Sequence, residues 1–461
     1  MNASAMRRAL LRIHAAAMDA ADPRRAVARA LSVRGRTLRA GNTRASLGPG
    51  GRVFLIAIGK AALGMTRGAL ERVGPLVTDG AIVHPEGARP GSSRPRALRF
   101  LPGSHPVPTR ASLRAGRAAA ACAAGARPGD VVLVLLSGGG SAMAEWPRPG
   151  LRIADLRRAT RELQRAGADI HALNTVRRAL SRLKGGGLAR LAGGAGVLTL
   201  ALSDVVGDKP EAIASGPTVP SPTGLRDAIE VLRRFGLERK LQRTVEALRR
   251  AAHEPGPGRS RAARPGKRGY AIVGSNRACA AAAARAARDL GIVTRRIGAP
   301  LTGEAREAGA KFARAALRLR AGAAAGGRPR CLIAGGETTV TMRAPGGARG
   351  RGRGGRNLEL ALGAAGILRG EPGVALLSFA TDGWDGTSGA AGAYATGSTW
   401  ARALRLRRNP DRALATNDTA PLFRALGDLL VTGPSGTNVN DLTVALIAPP
   451  RRRSPRRARS R

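Results

Sequence analysis

The stretch that most constrains the fold is Val131–Leu136 followed at once by Ser-Gly-Gly-Gly-Ser at 137–141. Six consecutive apolar residues, three of them β-branched, predict a strand buried on both faces of a parallel sheet. Three glycines directly after it have no Cβ, so backbone N–H groups can turn toward a ligand and approach it closely. If a helix follows, its N-terminus adds positive partial charge. Together these make a phosphate cradle, with Ser137 and Ser141 adding hydroxyl donors beside Gly138, Gly139 and Gly140. A simple tight turn is the competing reading, and the further loops of the same character along the chain weigh against it.

The same pattern recurs. Val53–Ile58 is a second apolar strand, ending in Gly-Lys-Ala-Ala at 59–62. A short strand at 81–83, helices near 153–167 and 174–183, and a strand at 196–203 ending at Asp204 complete a first block. Strands alternating with helices, with ligand-type loops at strand C-terminal ends, predict an open parallel sheet. The Pro-, Gly- and Arg-rich segment 253–268 reads as a linker. A second α/β block follows over 269–448, with strands at 270–273, 331–334, 374–379 and 442–447 and helices at 277–290 and 416–429. Residues 449–461 read as a disordered basic tail. The expected fold class is therefore α/β in two domains: a Rossmann-like parallel-sheet domain over 1–252, and a second α/β domain, with the active site in the interdomain cleft.

At 461 residues the chain has ample length for two domains. Only 2% of it is aromatic, so aliphatic residues and alanine must fill the cores. The net charge of +48 would suggest nucleic acid. However, only six of the 78 basic residues are lysine, and the rest are arginine amid abundant alanine and glycine. That is the mark of a GC-rich coding background, and the aromatics needed to stack bases are scarce. Three scattered cysteines give no zinc or disulfide framework and fit a reducing cytoplasm. No apolar run reaches the roughly 20 residues of a membrane span. The first residues read as an amphipathic helix, with Leu10, Ile13, Ala17 and Met18 near one face.

Several strand-end loops carry candidate chemistry. Lys60, between strand and helix, can reach a crevice as a point charge on phosphate. Asp204 and Asp208 suit Mg²⁺, a hard cation that prefers oxygen, or serve as turn formers. Asp382 lies in a similar loop. Gly335, Glu337 and Thr338 form a glycine turn with an acid and hydroxyls. Arg356 ends a glycine- and arginine-rich run that resembles an RGG-type RNA-binding segment, but the run is short and leads into a helical stretch, so a mobile glycine loop delivering Arg356 to a phosphate is the preferred reading. Neither a Walker A sequence nor kinase signatures are present, and no strand-placed dinucleotide fingerprint stands out.

Read in order, these loops resemble the glycerate 2-kinase family, also called the MOFRL family, whose members are often labelled hydroxypyruvate reductases. The marks are the motifs at 58–62, 103–108, 136–142, 173–178 with 183–186, 202–208 and 213–218. In the second half they are those at 335–339, 354–357, 381–383 and 436–441. The resemblance spans nearly the whole chain. It implies Mg²⁺-dependent phosphorylation of D-glycerate by ATP at the 2-hydroxyl, with Lys60 and Arg356 as the catalytic pair. Substrate contacts would come from Asn174, Arg177 and Lys184. The carboxylate of glycerate would be taken by Arg177, Arg178 or Lys184, and the metal by Asp204, Asp208 and Asp382. The implied partners are these small molecules, not a specific nucleic acid or a membrane, with a homodimer left open. One departure stands out: relatives commonly carry a Thr-Asp pair before Ala-Ala-Gly, where this chain has Ser388 and Gly389, and Asp385 is the nearest acid that could substitute. An NAD(P)H-dependent reductase and a catalytically silent polyanion binder are the alternatives.

Overall fold

The computed structural model describes residues 1–91, 95–253, 266–342 and 352–450. They form two compact units, one of residues 22–275 and the other of 1–21 with 276–461.

In the unit of residues 22–275, β1 (Leu31–Arg34), β2 (Thr37–Ala40) and β3 (Thr43–Ser46) make a small antiparallel sheet. The main sheet contains β4 (Val53–Ile58), β5 (Val77–Pro85), β6 (Leu98–Gly103), β7 (Val131–Leu136), β8 (Gly196–Leu202) and β9 (Arg268–Gly274). Its order is β6-β5-β4-β7-β8-β9 and every pairing is parallel. Every residue of β4 and β7 is buried, which is why both read as unbroken apolar runs. Phe54, Ile56, Val132, Val134 and Leu136 join Ala115, Ala119 and Ala123 of the helix Arg110–Ala124 in the core. A separate apolar cluster unites the helices Ile153–Arg165, Ile170–Ala179, Leu225–Arg234 and Gln242–His253 through Leu156, Leu163, Leu173, Val176, Leu232 and Leu248.

In the other unit, β10 (Val293–Arg296), β11 (Arg330–Gly336), β12 (Val374–Ala380), β13 (Gly392–Thr396), β14 (Leu429–Leu430) and β15 (Asp441–Ile447) form one mixed sheet of order β10-β11-β15-β12-β13-β14. The last strand, β15, is central and antiparallel to both β11 and β12. With few aromatics, this core gains density from close helix approach. A Cβ at Gly309 or at Gly363 would collide with the backbone of the facing helix.

Three expectations need correction. The strand at 268–274 pairs with β8 and so closes the first sheet instead of opening the second block. Its apolar run carried no signal of which edge it would join. The first helix, Ala3–Ala21, belongs with the C-terminal residues and packs on the helix Asn276–Asp289 and on β12 and β15. Of its expected face Leu10, Ile13 and Ala17 are buried, while Met18 is only half-buried and Met6 takes a place in the core. The helix expected at 174–183 is Ile170–Ala179, capped by Asp169, whose side chain accepts from Ala172 N. Most of the segment read as a linker, the glycine run 344–351 and the tail from 451 lie outside the described residues.

His14 of the first helix meets Phe379 edge-on, with ring centroids 4.6 Å apart. Burial lowers its pKa to about 4. The unfolded chain therefore binds a proton near pH 6.5 that the folded chain refuses, so this contribution to stability is full above pH 6.5 and is lost as pH falls toward 4. Thermal midpoints taken from pH 7 to pH 4 should fall less steeply in His14→Gln than in the wild type, by an amount worth at most about 3 kcal/mol. Parallel slopes would show that His14 is protonated at no cost.

Candidate active site

In the first sheet, strands β4, β5 and β6 run outward in one direction from the centre and β7, β8 and β9 in the other. The topological switch point thus lies between β4 and β7, where open α/β sheets bind ligands at strand C-terminal ends. Lys60 follows β4, the glycine loop 137–141 follows β7, and Asp204 follows β8.

Main-chain bonds lock the first two loops together. Lys60 N donates to Gly138 O (2.9 Å), and Ser137 N to Ile58 O (3.0 Å). The Ser137 hydroxyl accepts from Ala61 N at 3.0 Å, so it shapes the loop. Gly59 has φ +128°, and a Cβ there would strike Ser137. A Cβ on Gly138 would overlap the Asp204 carboxylate, which lies against the loop backbone. A Cβ on Gly139 would come within 3.0 Å of His105 and 3.3 Å of the Lys60 side chain. The helix expected after the loop is only Gly140–Met143. Four residues sum few peptide dipoles, so the loop's own N–H groups and Lys60 must carry most of the positive potential.

A cleft of about 810 Å³ opens here, lined by His105, Gly139, Ser141, Asn174, Arg177, Lys184, Asp204 and Ser215 among others. Arg177 Nη2 donates to Ser141 Oγ (2.9 Å), which also bonds Ser215 Oγ (2.8 Å). Ala214 (φ +49°) and Ser215 (φ +62°) are held in left-handed backbone, a cost of about 1–3 kcal/mol each that concentrates at functional loops. Burial, with Lys60 and Arg177 adding to it, lowers the His105 pKa to about 4, so this ring is neutral at pH 7. Burial also lowers the Arg177 pKa, against the pull of Glu145.

The other unit holds a second polar centre. Asp441, at the start of β15, takes Arg356 in a bidentate pair (Nη2 to Oδ1, 2.9 Å), and Arg356 Nη1 donates to Glu337 Oε1 at 2.8 Å. Burial works against the guanidinium charge, but Asp441 and Glu337 outweigh it and its pKa is raised. Burial pushes Asp441 up to about 7, with Arg356 opposing and Asp385 and Glu337 adding to the rise. Gly335 is the penultimate residue of β11 and Thr338 is buried beside Glu337. Asp385 accepts from Asn357 N and Leu358 N, both at 2.9 Å, and so caps the helix Arg356–Ile367. Buried in that cap, it is committed to the fold and does not stand in for the acid that Gly389 replaces.

Two stretches of the chain match known families: residues 9–250 the domain of unknown function DUF4147, and residues 330–441 the MOFRL family. D-glycerate 2-kinase of Thermotoga maritima is 36% identical over 396 residues, covering 86% of this chain and 91% of that one. A putative hydroxypyruvate reductase of Agrobacterium vitis is 37% identical over 96% of this chain and 94% of its own. The crystal structure of glycerate kinase from Thermotoga maritima matches with a TM-score of 0.83 at 33% identity, over 96% of this chain and all of the other. The chain belongs to the MOFRL glycerate kinase family.

For this glycerate kinase relative, the cleft gathers Gly139, Ser141, Asn174, Arg177, Lys184 and Asp204, with Lys60 at its edge. Lys184 is fully buried and its ammonium is held by Glu145, which also accepts from Ser181. Its charge is therefore already matched. Asp208 does not line the cleft and sits in a left-handed turn (φ +53°), the role its residue type also allowed. Gly335, Glu337, Thr338, Arg356 and Asp382 belong to the other unit, where Asp382 Oδ1 accepts from Trp384 N at 3.0 Å. No group of three or more His, Cys, Asp or Glu suited to a metal occurs among the described residues. That accords with Mg²⁺ only in its usual mode, one or two carboxylates completed by phosphate oxygens and water. Asp204, pressed against the glycine loop, fits that mode. Sequence reasoning missed His105, Glu145, Ser215 and Asp441 as site residues. The motifs at 103–108, 213–218 and 436–441 enclosed three of them, whereas Glu145 had no signal. No helix among the described residues is long and apolar enough to cross a membrane.

Proposed function

We propose that this protein transfers the γ-phosphoryl group of ATP to the 2-hydroxyl of D-glycerate, giving 2-phosphoglycerate and ADP. The new bond joins phosphorus to the glycerate oxygen, the bond to the β-phosphate oxygen breaks, and the hydroxyl proton is released. The observation that carries this reading is the cleft at the β4/β7 switch point, lined by Gly139, Ser141 and Arg177, with the Lys60 side chain running beside Gly139 and close enough to lower the His105 pKa.

The backbone of Gly138, Gly139 and Gly140 and the Ser141 hydroxyl take phosphate oxygens. Lys60 neutralises charge that develops on the transferred group, an effect strongest where water is excluded. Arg356 serves the same end from the other unit, where Gly335, Glu337 and Thr338 contact the nucleotide. Asn174 and Arg177, three residues apart on one helix face, hold glycerate, with the Arg177 fork matched to its carboxylate. Lys184 supports the wall through Glu145. Bound Mg²⁺ would be held by Asp204 and would supply charge neutralisation on the phosphate oxygens. Three buried, unpaired cysteines suit a reducing cytoplasm.

Incubation with ATP and Mg²⁺ should release ADP with D-glycerate and far less with L-glycerate, and ³¹P NMR should identify 2-phosphoglycerate. Chelation of the metal should abolish turnover. Oxidation of NADH by hydroxypyruvate with no ADP formed would replace this reading by the reductase one.

A further inference from the structure

Arg177 and Arg178 are consecutive on the helix Ile170–Ala179, so their side chains leave it about 100° apart. Arg177 enters the strand-end cleft. Arg178 enters a different cavity of about 280 Å³, lined by Arg148, Arg178, Lys184, Arg190, Ser221 and Thr223, where the helix Leu225–Arg234 begins. No acidic side chain lines it. Lys184 is matched by Glu145, but Arg178 and Arg190 make no ion pair among the described residues. Arg190 Nη1 donates to Gly185 O (3.0 Å) and remains exposed at the rim.

Arg178 is the telling group. It is only 9% exposed, it donates to the Thr223 hydroxyl at 3.3 Å, and its Nε has no acceptor among the described residues. Glu211 is near enough to favour its charge but forms no ion pair with it. A buried guanidinium lacking a carboxylate is costly unless an anion is brought to it. Two hydroxyls and two guanidinium groups without an ion pair among the described residues converge on one small space, which suits an anion with three or four oxygens better than one with two.

We propose that this cavity is a second anion site, distinct from the catalytic cleft, for the phosphate group of a small molecule. It lies at the lower limit of ligand-pocket size, so inorganic phosphate or a short phosphate monoester fits and a nucleotide does not. The proposal does not depend on the kinase reading, because Lys184 alone lines both cavities and its charge is already held by Glu145.

Calorimetric titration with inorganic phosphate and with glycerol phosphate tests it. Lys60→Ala should keep the site, whereas Arg178→Gln should weaken binding at least tenfold. Ser221→Glu places a carboxylate beside Arg178 and should block binding while raising the thermal midpoint, which keeps the test decisive if Arg178→Gln fails to fold. Tighter binding of glycerol phosphate identifies a metabolite, and equal affinities identify free phosphate. Phosphate binding lost in Lys60→Ala but unchanged in Ser221→Glu would overturn the proposal. So would D-glycerate binding that depends on Arg178, which would make the cavity the substrate carboxylate site.

Discussion

Lys60→Ala is expected to lower kcat by about 10²–10³-fold, the loss typical of removing one electrostatic stabiliser of a transition state. The thermal midpoint should barely move. The features that shape the loop are main-chain ones, from Lys60 N to Gly138 O and from Ala61 N to the Ser137 hydroxyl, and alanine keeps both. The ammonium itself forms no ion pair among the described residues, so its removal strands no buried partner. Lys60→Arg should recover only part of the rate, because a planar guanidinium on the stem that passes Gly139 does not place its charge where the compact ammonium does. Steady-state kinetics with saturating D-glycerate and ATP, paired with thermal unfolding, decide this. Full activity in Lys60→Ala would mark it as a helix-approach lysine with no part in phosphoryl transfer.

Legibility followed burial. Strands buried on both faces, such as β4 and β7, announce themselves because every residue must be apolar, and the loops after them inherit a position from the parallel-sheet rule. The strand β9 was visible as a strand, but its sheet was not. Joining β8 is a long-range choice made across a proline- and glycine-rich segment, and nothing local encodes it. The small sheet β1-β2-β3 escaped notice because its four-residue strands mix arginine, threonine and alanine at a half-exposed surface. Lys60 and the glycine loop were legible as chemistry because each lies within two residues of a strand end. Glu145 was not, since its meaning lies in a buried pair with Lys184 that only folding creates. Likewise, adjacent Arg177 and Arg178 look equivalent in sequence, and helical geometry alone sends them to different cavities.

Arg356→Ala should combine a catalytic loss of about 10³-fold with real destabilisation, and the second effect has its own pH signature. Arg356 faces Asp441 and Glu337, with Asp385 close behind, so one cation moderates three carboxylates. Breaking a buried ion pair costs about 3–5 kcal/mol. Because Arg356 is 28% exposed, a value toward the lower end is expected. Asp441 already titrates at about 7 with Arg356 present. Without it, burial and the neighbouring acids act unopposed and the carboxyl rises further. A carboxyl raised above its unfolded value favours folding while protonated and opposes it once ionised. The variant should therefore be close to wild-type stability near pH 4 and fall progressively behind as pH rises through 7. Arg356→Ala with Asp441→Asn separates the two roles. Asparagine removes the buried charge, so the double variant should regain its midpoint at pH 8 and lose the pH dependence. Its kcat should stay low, because Arg356, proposed above to neutralise the transferred phosphoryl, is still missing. If kcat returned along with stability, Arg356 would be a counter-ion for Asp441 and nothing more, and the electrostatic work of the reaction would have to rest on Lys60 and the residues of the strand-end cleft.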